Sequence, residues 1–210
     1  MPQLRNQESN FKGTIGKTLN DSEPWFELPQ HPGEDAPNIV VVLLDDTGFA
    51  QLGCYGSSIG TENIDNLAAD GLQFTNFHVT PLCSPTRASL LTGRSQHAVG
   101  MRSVSNFRTG FPHMLGHITN EAATMAEIFQ AEGYATFCAG KWHLAPMENC
   151  SSAGPFDQWQ LRRVFDRFYG FLEGETDQFH PDLVRDNHSV QPPGKPVSYT
   201  HLTLPTNREV

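Results

Sequence analysis

Three short stretches of this sequence hold residues whose types and spacing can do chemistry. The first is Asp45-Asp46, which closes an apolar run over residues 38–44. Two adjacent carboxylates repel and are costly to desolvate. A divalent cation offsets both penalties, and hard oxygens suit Ca²⁺, Mg²⁺ or Mn²⁺. Asp-Asp before Thr47-Gly48 is equally good chemistry for a solvated turn. The second stretch is Cys83-Ser84-Pro85-Thr86-Arg87, followed by Leu91-Thr92-Gly93-Arg94. Ser84 is a good N-cap and Pro85 is tolerated at a first helical position, so a helix is expected from here to Gly93. Cys83 then sits at the positive end of the helix dipole, with Arg87 four residues on and on about the same face. Such a site favours an anion or an anionic transition state. A small buried cysteine ahead of a helix is the plainer alternative. The third stretch is Gly140-Lys141-Trp142-His143. In an extended segment Lys141 and His143 project to one side. A point cation beside an imidazole suits holding a sulfate or phosphate and moving a proton. A surface lysine and a hydrogen-bonded histidine around a buried tryptophan is the alternative.

These residues need elements to position them. Residues 38–44 are apolar on both parities, as in a strand buried on both faces of a parallel sheet. Ligands of open α/β sheets bind beyond the carboxyl ends of such strands, which is where Asp45 and Asp46 fall. Thr61 can cap a helix to about Asp70, with Ile64, Leu67 and Ala68 on one face and Gly71 as the stop. Residues 72–79 read as a strand. Residues 95–118 have no clear period. Asn120 can cap a helix that places Ala122, Met125, Ala126 and Phe129 on one face. Residues 134–139 read as a strand, and 165–172 as a strand or docked loop. Strands alternating with helices predict α/β with a largely parallel sheet.

The chain has 210 residues, about one domain with an appendage. Its 14 Lys+Arg against 23 Asp+Glu give a net charge of −9, which argues against nucleic-acid or anionic-membrane binding. No apolar run approaches the ~20 residues of a membrane span. Residues 1–17 lack the apolar stretch of a secretory signal, which points to the cytoplasm, or to the periplasm or secretion if a signal has been removed. The 4 cysteines do not make a disulfide framework, and Cys54, Cys138 and Cys150 read as packing or loop thiols. His97, His113 and His117 lack the spacing of a zinc helix.

Together the three stretches resemble the sulfatase family, within the alkaline-phosphatase-like superfamily. The resemblance runs from about residue 37 to about residue 171, and the order and rough spacing of its motifs are similar to those of bacterial arylsulfatases. The arm, with Gly13-Thr14-Ile15-Gly16 and Asp21-Ser22-Glu23-Pro24, resembles one bacterial branch. The resemblance implies a mixed, largely parallel sheet flanked by helices, and hydrolysis of sulfate esters. It implies that a separate generating enzyme, reading C-x-P-x-R, oxidises Cys83 to Cα-formylglycine. The hydrated aldehyde then has one oxygen to attack sulfur and a second to expel sulfate. By the same resemblance Asp45, Asp46 and residue 83 bind a divalent cation, usually Ca²⁺. Arg87 holds the hydrate, Lys141 contacts hydrate and sulfate, and His143 takes the proton from the second hydroxyl.

The sequence also departs from that pattern. The family's further Asp-Asn ligand pair, its later sulfate-binding Lys and its leaving-group His have no counterpart. Asp186-Asn187 has the letters of the pair, in what reads as a different, earlier loop. Calcium takes about 6 to 8 oxygens, of which these residues supply roughly half. The chain is therefore expected to be the truncated N-terminal part of a sulfatase. An arm spans residues 1–36, part of the catalytic domain spans 37–196, and a tail over 197–210 resembles adapter read-through more than a native end. Alone, it is expected to bind Ca²⁺ poorly, turn over little and leave apolar surface uncovered. Two other functions stay open: a phosphoester or phosphonate hydrolase of the same superfamily, and a non-catalytic anion-binding fragment.

Overall fold

Four strands make one sheet in the order β1-β2-β3-β4: β1 (Phe137–Lys141), β2 (Arg167–Phe171), β3 (Leu183–Arg185) and β4 (His188–Val190). They come from a computed structural model that describes residues 11–26, 28 and 30–192, so the expected tail 197–210 lies outside the described residues. β1 and β2 run parallel, with Phe137 opposite Arg167 and Lys141 opposite Phe171. The β2–β3 and β3–β4 pairs are antiparallel, so the sheet is mixed. Gly170 pairs with Gly140 at a close approach where a Cβ on residue 170 would overlap the Gly140 carbonyl. Asp186 turns the β3–β4 hairpin at φ 55° and accepts a hydrogen bond from the Phe168 backbone N–H at 3.0 Å. Asp186-Asn187 thus serves a turn, as its flanking residues suggest.

The core lies behind this sheet and beside the segments that lead into it. Trp142, Trp159, Phe168, Met101, Val99, Ile118 and Leu144 pack there as one buried cluster with Ala88 of the second helix. Both indoles keep a polar partner, as a buried tryptophan must. Trp142 Nε1 donates to the Gln158 carbonyl at 3.0 Å and Trp159 Nε1 to the Asn149 carbonyl at 2.6 Å. Edge-to-face pairs join Trp142 to Phe165 and Phe156 to Trp159.

The described residues contain three α-helices: α1 (Glu62–Asp70), α2 (Cys83–Thr92) and α3 (Met125–Ala131). α1 has the expected bounds, with Thr61 before it and Gly71 after it. The Thr61 hydroxyl does not cap it; it donates to Asp65 Oδ1 at 2.8 Å and accepts from the Gly53 N–H. α2 starts two residues before Pro85, because Leu82 is the last extended residue (φ −134°) and Cys83 already opens the helix. It stops at Gly93 in the left-handed region (φ 64°). α3 starts later than expected. Thr124, not Asn120, is its N-cap, in a capping box with Glu127.

Residues 38–44 and 72–79 form no strand among the described residues. Val40 and Val42 are 83% and 76% exposed, so the run predicted to be buried on both faces is uncovered. Such a strand needs partners on both edges and helices on both faces, and these are long-range partners that the described residues do not supply. Only the carboxyl end of the run is held, through Asp45. In the arm, Thr14 bridges Glu23 and Phe11 meets Trp25 edge-on, while Phe26 and Leu28 stay exposed. None of the described helices is long and apolar enough to cross a membrane.

Candidate active site

The ends of three segments meet where β1 leaves the sheet. The first turn of α2 brings Cys83 and, one turn on, Arg87. β1 brings Lys141 and, just past its end, His143. The run over residues 38–44 brings Asp45. Backbone bonds of the β1–β2 ladder continue past Lys141: the Trp142 N–H donates to the Phe171 carbonyl and the His143 N–H to the Leu172 carbonyl, both at 2.9 Å. His143 is thus fixed by its own main chain. It sits at φ 54°, a sparsely populated conformation for a non-glycine residue that costs about 1–3 kcal/mol and persists only when the surroundings hold it. Between Lys141 and His143, Trp142 points the other way, into the core.

Asp45 is braced by two cations. Lys141 Nζ donates to Oδ2 at 2.8 Å and Arg87 Nη2 to Oδ1 at 3.0 Å. Arg87 Nη1 also donates to the Lys141 carbonyl at 2.6 Å, which locks helix α2 to strand β1. Cys83 Sγ lies 3.1 Å from His143 Nδ1, and His143 Nε2 lies 2.6 Å from Asn106 Oδ1. The structure therefore brings Cys83, Arg87, Lys141, His143 and Asp45 into one constellation. Asp46 stands beside it, exposed and left-handed (φ 51°).

Burial pulls the Asp45 carboxyl upward, but the hydrogen bonds and charges of Lys141 and Arg87 outweigh it and hold the group below its ordinary range. Burial pushes His143 down to about 4, helped by the charges of Lys141 and Arg87 and opposed by Asp45. His143 is therefore neutral near pH 7, free to accept a proton. The other thiols differ from Cys83 in surroundings. Burial pushes Cys138 up to about 12 and Cys150 to about 11, so both stay protonated and serve packing.

A formylglycine at residue 83 suits these surroundings, since an oxygen in place of Sγ would face His143 Nδ1. A cation does not fit the described residues as they stand. Asp45 and Asp46 have the right hard oxygens, but both Asp45 oxygens are engaged by Lys141 and Arg87. Among the described residues no group of three or more His, Cys, Asp or Glu side chains gathers to hold a metal. The expected ligand set Asp45, Asp46 and Cys83 is thus not assembled around a common point.

Two neighbours of His143 escaped the sequence reading. Asn106 falls in the stretch without periodicity, and no motif marks it. Gly174 lies against the imidazole, where a Cβ would stand 2.7 Å from Cε1. A glycine just after the aromatic strand was its only signal.

The sulfatase family profile matches residues 37–208, and the chain belongs to the sulfatase family. An uncharacterised sulfatase of Schizosaccharomyces pombe is 35% identical over 181 residues, covering 82% of this chain and 31% of that protein. Human arylsulfatase A is 49% identical over 113 residues, covering 51% of this chain and 21% of that protein. Human steryl-sulfatase is 40% identical over 139 residues, covering 64% and 23%. Among solved structures, Ps i-CgsB matches with a TM-score of 0.59 at 28% identity over 70% of this chain and 35% of that one. Its complex with k-i-k-neocarrahexaose matches equally well, at 27% identity. The mixed α/β fold is that of the alkaline-phosphatase-like sulfatases. The chain spans 21% to 31% of the length of the three sulfatase relatives just compared.

Proposed function

We propose that the whole protein hydrolyses sulfate esters, through a formylglycine formed from Cys83 by a generating enzyme that acts as a transient partner. The observation that carries this reading is the convergence of Cys83, His143, Lys141 and Arg87 from segments up to 60 residues apart. A hydrated aldehyde supplies one hydroxyl to attack sulfur and keeps a second whose proton must leave before sulfate can depart. His143 is neutral and its Nδ1 faces residue 83, so it is the group to take that proton. Lys141 and Arg87 provide fixed positive charge where negative charge develops, and the bond from Arg87 to the Lys141 carbonyl keeps the two in register. By the family resemblance a divalent cation, Ca²⁺ first and Mg²⁺ or Mn²⁺ as alternatives, would be held by Asp45 and Asp46, and for that Asp45 would have to exchange its bonds to Lys141 and Arg87 for the ion. The roles given to His143, Lys141 and Arg87 do not depend on it.

The names of the human relatives support an aryl or steroid sulfate, and the oligosaccharide complex of Ps i-CgsB supports a glycan sulfate. The 210 residues alone are expected to turn over such esters poorly. Mass spectrometry of the Cys83 peptide, from a host with the generating enzyme, tests the precursor. Parallel kinetics on an aryl sulfate and an aryl phosphate test the reaction. Conversion of Cys83 with preference for the sulfate is expected. An unmodified Cys83 in a protein without sulfatase turnover would sink the proposal.

A further inference from the structure

The far side of the His143 ring is as closely held as the side that faces residue 83. Nε2 meets Asn106 Oδ1 at 2.6 Å, and the Ser105 hydroxyl donates to the same oxygen at 3.4 Å. A carboxamide oxygen only accepts, so Nε2 must carry the proton. In a neutral imidazole the other nitrogen, Nδ1, is then bare. With the amide turned the other way, its NH₂ would force the opposite assignment, and Nδ1 would present a proton to residue 83 instead of a lone pair.

Asn106 is itself exposed, but its main chain is anchored through the residue before it. The Ser105 N–H donates to Ser84 Oγ at 3.2 Å, and both serines are buried. Ser84 follows Cys83 in the chain. The contacts therefore close a ring, from Cys83 through Ser84, Ser105, Asn106 and His143 and back to Cys83. Gly174 closes the face of the imidazole, since any Cβ there would collide with the ring. The ring has little room to flip or swing.

We propose that Asn106 is a positioning residue, whose carboxamide oxygen holds the proton on His143 Nε2 and so presents the bare Nδ1 to residue 83. The catalytic consequence rests on the reading of His143 as the proton acceptor; the tautomer itself does not. The loss expected on removing Asn106 is about 10- to 100-fold in kcat, a part of the ~10²–10⁴-fold that a positioned base contributes.

The test labels the whole protein with ¹⁵N at histidine and reads the His143 ring nitrogens by long-range ¹H–¹⁵N correlation at pH 7. The expected spectrum has a protonated Nε2 whose proton exchanges slowly, and a bare Nδ1. Asn106→Leu should speed that exchange and lower kcat on an aryl sulfate with KM changed less than about twofold. Asn106→Asp, which keeps an acceptor oxygen, should restore both protection and most of kcat. A proton on Nδ1 in the unsubstituted protein overturns the proposal and needs no variant that folds. An unchanged spectrum in Asn106→Leu, or no rescue by Asn106→Asp, overturns it as well. The expected spectrum in a protein that hydrolyses no sulfate ester would retire the proposed function and leave the tautomer assignment standing.

Discussion

Residues 38–79 are no poorer in apolar residues for their length than residues 83–190, yet only the second region has an interior. No residue from 38 to 79 is buried, and its turns are held by polar bonds such as those that gather Cys54, Thr61 and Asp65. In the second region the indoles, Phe168 and Met101 close a core, and the sheet is anchored on it. The candidate site spans the boundary. Its cations, base and nucleophile precursor stand on the packed side, and its carboxylates stand at the tip of the uncovered run. The salt bridges of Asp45 join the two regions. Rigid placement of charge comes from the packed side, and the carboxylates depend on it for theirs.

Breaking the packed side should do the most. Lys141→Ala in the whole protein should lower kcat/KM on an aryl sulfate by about 10²–10³-fold, as loss of a preorganised charge does; steady-state kinetics check it. Next comes the core itself. Trp159→Ala should cost about 3–5 kcal/mol in denaturant unfolding, because a fully buried ring leaves a cavity. A smaller effect follows from His143. Its folded value of about 4 lies below the ordinary 6.5, so the unfolded chain binds the extra proton first. Stability should therefore decline as pH falls from about 6.5 toward 4, and melts of the protein and of His143→Gln across that window should differ in slope. Asp45 adds its own loss only below its ordinary 3.8. Smallest is Val42→Thr in the uncovered run, expected to stay within about 0.5 kcal/mol in the 210-residue chain. A large loss there would mean that the run is packed after all, and the contrast between the regions would dissolve.

What the sequence made legible was local. Arg87 lies one turn from Cys83, and Lys141 lies two residues from His143, so helix and strand spacing alone put each pair on one side. The stop at Gly93 and the bounds of α1 were legible for the same reason. The contacts that assemble the site join residues far apart: Asp45 with Lys141, 96 residues away, and Asn106 with His143, 37 away. Nothing local encodes these. The apolar run over 38–44 failed in the opposite sense. Its pattern says that it can be buried on both faces, but not by what, and burial belongs to partners rather than to the segment. The start of α2 moved by two residues because proline is also tolerated at the third helical position, where the N–H it lacks has no intrahelical partner to lose.

Trp142 sits between the two working side chains of β1, with its backbone in their register and its indole in the interior. The protein thereby carries its own optical gauge. An event that displaces the backbone at Trp142 and pulls its indole from Phe165 and the Gln158 carbonyl also shifts Lys141 and His143, since a peptide bond links it to each. In the whole protein, a shift in the emission of the buried tryptophans Trp142 and Trp159 on heating should therefore be accompanied by loss of turnover.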